Sequence, residues 1–181
     1  MHRFEFLSHS ASREAPEYVL CGFRIDGVDL RTYVIEATRE HWHREHEADG
    51  LDPAERERSL LAQHRGLPLS RLEDPVRHFL GEPAGDFSRA AVAELIGDST
   101  GLPPGTTPLL GCSCSVWECW HLLGTVTLAP QTVTWSGLRE GRRPEWGDLA
   151  IGPFVFDRPS YEHALAHPVR LMDDPSAHLY E

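Results

Sequence analysis

The sequence predicts an α+β fold, with helices packed on one face of a mostly antiparallel sheet. Three observations carry this. Helical periodicity fills the chain from about residue 29 to 96. Alternating, β-branched and aromatic stretches dominate from about 108 to 157. A Gly/Pro/Ser/Thr loop, 97–107, separates the two, and the helical half has too few strands to stand alone. A single domain over 1–172 is therefore expected, with 173–181 as a frayed tail.

The elements follow in order. Glu17–Ile25 is rich in β-formers and stops at the turn dipeptide Asp26-Gly27, with Cys21 as a small core residue. Asp29 caps a helix that places Leu30, Val34 and Ala37 on one face and runs to about Glu47. Asp52-Pro53 is a cap followed by proline at the first helical position, and Gly66 is expected to close that helix. A short helix covers Pro75–Leu80, and Asp86 is the expected cap of another over Phe87–Ile96. Beyond the loop, Pro108–Ser113 is a strand. His121–Leu128 and Thr132–Leu138 form a hairpin across Ala129-Pro-Gln131, with Val133 and Trp135 on one face. Gly152–Phe156 is a last strand, and Asp157 caps a final helix through Tyr161 and Leu165. The strand at 17–25 is expected to join the later hairpin.

Charge narrows the partners. The formal net charge is −11, and all 17 cations are arginine, since lysine is absent. Residues 1–108 hold 12 arginines against 19 acidic residues, and 109–181 hold 5 against 9. Neither part has the basic footprint of a nucleic-acid binder. An acidic surface suits a basic protein partner or simple solubility. Lysine and asparagine are both absent, which points to a GC-rich bacterial genome. No stretch is long and apolar enough for a membrane span, and the N-terminus lacks a signal-peptide core, so a cytoplasmic location is expected.

Three clusters carry versatile chemistry. Cys112, Cys114 and Cys119 have the spacing C-x-C-x4-C, with His121 two residues on. Three thiolates and an imidazole would complete a tetrahedral zinc set, although the usual C-x2-C knuckle is missing. Buried thiols or a redox pair are the alternatives. Glu40-His-Trp-His-Arg-Glu-His-Glu47 puts Trp42 and His46 on one helix face and Glu40, His43 and Glu47 on another. It resembles half of a carboxylate-bridged metal set without its second half, so a charged, solvated helix end is the plainer expectation. His64 could approach it from the next helix. The third cluster is aromatic and cationic. Trp135, Arg142, Arg143 and Trp146 offer a partner-binding patch, because Trp and Arg dominate binding hot spots and paired guanidinium groups hold carboxylates. The plainer expectation is a solvated loop with Trp146 folded inward. The Walker-type phosphate loop is excluded by the lack of lysine, and no G-x-G-x-x-G is present.

Gly111-Cys-Ser-Cys-Ser-Val-Trp-Glu-Cys-Trp120, Val133-Thr-Trp-Ser-Gly137, Arg143-Pro-Glu-Trp146, Gly152-Pro-Phe-Val-Phe-Asp-Arg158 and Tyr161-Glu-His-Ala-Leu165 together resemble a group of proteins from GC-rich bacteria with no known activity. The resemblance covers the last third of the chain. It implies that these segments form one structural unit, and it implies no catalytic residue. The sequence thus predicts a non-enzymatic binding protein with a cysteine-rich structural corner. The alternative is a zinc- or thiol-dependent enzyme centred on Cys112, Cys114, Cys119 and His121.

Overall fold

The structure is a computed structural model and describes residues 1–12, 14–97, 102–114 and 121–177. The α+β class holds, but the strands divide between two sheets. Strand β1 (Phe4–Ser12) pairs antiparallel with β2 (Ala15–Ile25), and β3 (Val28–Asp29) adds to β2 across the Asp26-Gly27 turn. The strand over 17–25 therefore has neighbours other than the late hairpin.

Helix α1 (Leu30–Ala48) starts at Asp29, whose side chain accepts from the Arg31 backbone N–H. Helix α2 (Pro53–Leu61) carries a complete capping box, with Asp52 and Glu55 each accepting from the other's backbone N–H. It ends at Leu61 rather than at Gly66, because the chain turns into a two-residue strand, β4 (His64–Arg65). Gly66 serves a close approach instead. A Cβ there would stand 1.6 Å from the Cys21 carbonyl oxygen, and the next residue accepts the Cys21 N–H at 2.9 Å. Only glycine lets these backbones meet.

Helix α3 (Pro75–Phe79) is capped by Asp74. Helix α4 (Arg89–Ile96) is capped by Ser88 rather than Asp86, since Gly85–Phe87 forms a 3-10 turn of its own. Strands β5 (Thr106–Cys112), β6 (Leu122–Leu128), β7 (Thr132–Glu140) and β8 (Phe154–Asp157) follow, then α5 (Arg158–Ala166) and β9 (Val169–Leu171). One sheet has the order β3-β2-β1-β9, with β9 parallel to β1; the other, β4-β5-β6-β7-β8, is antiparallel throughout.

The inner faces of the two sheets meet through aromatic rings. Phe4 and Phe23 stand edge-on to Trp135, at centroid separations of 5.5 and 5.2 Å. Such pairs add to the burial of apolar area that drives the packing. Tyr161 of α5 ties the core's polar atoms together: its hydroxyl accepts from Trp135 Nε1 at 3.0 Å and donates to the Phe79 carbonyl at 2.7 Å.

The segment after β9 is anchored rather than frayed as far as the described residues extend. Buried Arg31 forms forked ion pairs with Asp29 and Asp174, and the Ser176 hydroxyl donates to Asp29 at 3.0 Å. The cap of α1 and the segment after β9 are thus held by one guanidinium. Among the described residues, no helix is long and apolar enough to cross a membrane.

Candidate functional site

Two adjoining regions draw in the residues singled out by sequence: a corner where β4, β5 and β7 meet, and the loop that leaves β7.

The corner is built by β4 pairing with the end of β5, which sets His64 opposite Cys112 and Arg65 opposite Gly111. The His64 ring spans the sheet. Its Nδ1 lies 3.3 Å from the Gly111 carbonyl and its Nε2 lies 2.6 Å from Glu140 Oε1. A carbonyl only accepts, so Nδ1 carries a proton. Burial works against charge on this ring. The Glu140 carboxylate, through its charge and its hydrogen bond, and the Gly111 carbonyl outweigh that effect and hold the His64 pKa above its ordinary value. An imidazolium donating from both nitrogens has no lone pair left to act as a base.

His121, just before β6, is fully buried, and neither ring nitrogen has a hydrogen-bond partner among the described residues. Burial, reinforced by the positive charges of His64 and Arg142, lowers its pKa to about 4. Glu140 Oε2 is likewise buried without a partner. His78 follows the same logic more comfortably: burial lowers its pKa to about 4, while its Nε2 donates to the Pro108 carbonyl at 2.7 Å.

Cys112 is partly buried and Cys114 exposed. The strand ends at Cys112, and the chain turns through Ser113 and Cys114, so the two side chains do not continue along one strand face. The Cys114 backbone N–H points at Cys112 Sγ at 3.4 Å. Cys119, Trp117, Glu118 and Trp120 lie outside the described residues. Among the described residues, no three of His, Cys, Asp and Glu are grouped to hold a metal ion, so Cys112, Cys114 and His121 do not by themselves form the expected zinc set. Cys21 is an inert core thiol, its pKa pushed up to about 12 by burial.

The loop after β7 behaves differently. Arg143 forks onto Glu45 of α1, with Nε and one terminal nitrogen 2.8 and 2.9 Å from the two carboxylate oxygens. Its guanidinium lies 5.5 Å from the Trp42 ring centroid and 6.0 Å from that of Trp146. Trp146 ends a 3-10 turn, Pro144–Trp146, and remains partly exposed. His41 stacks on it at 4.6 Å, and Trp42 meets it edge-on at 5.0 Å. The Arg44 guanidinium, which can only donate, lies 3.2 Å from His41 Nδ1, so that nitrogen is the acceptor. Arg142 is exposed, and Arg143 also donates to its carbonyl at 3.1 Å.

The expected patch is therefore redistributed. Trp135 is 0% exposed and belongs to the core, since its position on β7 faces the other sheet. It cannot touch a partner. Arg142, Arg143 and Trp146 remain at the surface, and α1 supplies His41, Arg44 and Glu45. The histidine- and glutamate-rich helix end thus meets the Arg/Trp loop, whereas His64 turns to Glu140. His43 lies 3.7 Å from Glu57 of α2 and has no part in a carboxylate-bridged set. Sequence spacing carried one hint of this meeting. Trp42 and His46 share the buried face of α1, which leaves His41, Arg44 and Glu45 turned towards the loop side or solvent.

Searches against family models, curated proteins and solved structures found no match for this chain.

Proposed function

We propose that this chain is a non-enzymatic, cytoplasmic binding protein that recognises a protein partner through the surface around Trp146. The observation that carries this is the packed seating of a partly exposed tryptophan. His41 stacks on the Trp146 ring, Trp42 supports its edge, and Arg143 is fixed beside it by its fork to Glu45. A large aromatic side chain already held in place loses little conformational freedom on binding. Such anchors, with arginine beside them, carry most of the energy of protein interfaces. The net charge of −11 favours a basic partner and speeds its approach, and it disfavours nucleic acid.

The histidine environments support the same reading. His64 is engaged at both nitrogens, and His121 is buried and held neutral, so neither is offered as a base to Cys112 or Cys114. The test is comparative affinity capture with immobilised wild type and Trp146→Ala, followed by a binding isotherm for any protein that distinguishes them. The expected loss of affinity is at least tenfold, the mark of a hot-spot residue. Identical capture by the two baits would reject the reading.

The exposed Cys114 thiol beside partly buried Cys112 is the observation that favours a second reading, a zinc- or thiol-dependent enzyme using Cys112, Cys114, Cys119 and His121. It requires about one zinc per purified chain, or a thiol that reacts far faster than a free cysteine. Elemental analysis together with alkylation kinetics decides it.

A further inference from the structure

A cleft of about 450 Å³ opens where β1, β9 and the Leu69–Arg71 turn meet, apart from the residues discussed above. Its walls are apolar, from Val19, Leu69, Pro168 and Leu171. Its polar residues are Ser8, His9, Ser10 and Arg170, and the two that matter here are Ser8 and Arg170. They are register partners on the parallel pair β1–β9, so both stand on the same face of the sheet.

Neither has its polar groups satisfied by the protein. Ser8 is only 7% exposed, yet among the described residues its hydroxyl makes no hydrogen bond. Among the described residues Arg170 makes no hydrogen bond or ion pair, whereas Arg31, Arg39 and Arg143 each engage carboxylates. A hydroxyl in a largely buried position ordinarily finds a partner. A guanidinium at the mouth of an apolar cleft is the group that matches a carboxylate. His9 also borders the cleft but adds no charge to it. Its Nδ1–H donates to the Ser10 carbonyl at 3.0 Å, burial lowers its pKa, and its ring stands over Gly22. A second cleft of about 490 Å³ shares Ser10 and Leu171 and extends past Met172.

We propose that this cleft binds a small organic monocarboxylate with an apolar body, its two oxygens held by the Arg170 guanidinium and the Ser8 hydroxyl. The apolar walls take the hydrocarbon part, and the adjoining cleft leaves room for a longer chain. One guanidinium balances one negative charge, which fits a carboxylate better than a phosphate dianion. The volume lies in the range of ordinary small-molecule sites.

The test is calorimetric titration of the whole chain with hexanoate, alongside hexan-1-ol and inorganic phosphate. Saturable 1:1 binding of hexanoate is expected, tighter than hexanol and tighter than phosphate. Arg170→Ala should weaken hexanoate by about tenfold or more while leaving hexanol unchanged, because it removes a charge-assisted contact. Arg170→Lys should fall in between, and Ser8→Ala should cost a few-fold. Arg170 is exposed, so these arginine variants leave the core intact. Amide shifts on adding hexanoate should centre on Ser8 and Leu171. Absence of saturable binding, equal affinity in Arg170→Ala, phosphate binding as tight as hexanoate, or shifts centred elsewhere would each overturn the proposal.

Discussion

Glu140 and Arg143 are three residues apart, and each anchors an ion pair, but the two pairs belong to different physical regimes. His64–Glu140 is sealed, with side chains 4% and 0% exposed. Arg143–Glu45 is open, at 25% and 32%. Inside the corner, low polarity makes every unmatched group expensive, and among the described residues the His121 ring and Glu140 Oε2 are unmatched. At the loop, water screens the charges, so the pair adds little stability. What it provides is placement: it fixes a guanidinium and a tryptophan where a partner could reach them. The buried region stabilises the fold, and the open region is suited to recognition.

Glu140→Leu should break this contrast most severely. It removes the counter-charge of a buried imidazole, and a loss of roughly 3–5 kcal/mol is expected in denaturant titrations. The double variant His64→Leu/Glu140→Leu should recover much of that loss, because a matched apolar pair needs no charge compensation. If the double variant proved as unstable as the single one, the pair would be more than a buried charge match.

Acid should attack the corner next. His78 and His121 are held neutral, with pKa values of about 4 against 6.5 when unfolded. Below pH 6.5 the unfolded chain therefore binds protons that the folded chain refuses. Stability should fall progressively from pH 6.5 towards 4, by about 3 kcal/mol for each histidine. His64 has the opposite sign. Its pKa is raised in the folded state, so its contribution is complete below pH 6.5 and fades as pH climbs through the folded value. A stability profile measured from pH 4 to 9 should show both limbs, and His121→Leu should flatten the acid one.

Arg143→Ala should have a smaller effect on stability, about 1–2 kcal/mol, from a solvent-screened fork and a cation–π contact. A loss as large as that of Glu140→Leu would place the loop in the same regime as the corner and undo the contrast. The mildest probe is thiol alkylation followed by peptide mapping. Cys114 should react first, Cys112 more slowly, and Cys21 only on global unfolding.

The parts of this molecule legible in sequence are those set by neighbours along the chain. Asp29, Asp52 and Asp157 mark helix starts because a cap and its amide lie two or three residues apart. The β6–β7 hairpin shows in its alternation, and so does the inward face of Val133 and Trp135. The less legible parts depend on distant partners. Strand β1 is paired on one side by β9, across more than 150 residues, and β4 is only two residues long. The fork between Arg143 and Glu45 spans 98 positions and that between Arg31 and Asp174 spans 143. No periodicity encodes such contacts. Trp135 and Trp146 make the point for the candidate site. Both lie in one aromatic stretch, yet only the loop tryptophan reaches solvent, and its supports come from a helix a hundred residues earlier.

The most direct test of the proposed recognition surface is the affinity of one captured partner for wild type, Trp146→Ala and a corner control, Cys112→Ser, with thermal stability followed in parallel. A loss of at least tenfold for Trp146→Ala is predicted, with the fold intact and binding by Cys112→Ser unchanged. Undiminished binding by Trp146→Ala, or a loss confined to Cys112→Ser, would contradict the account and move the function to the cysteine corner.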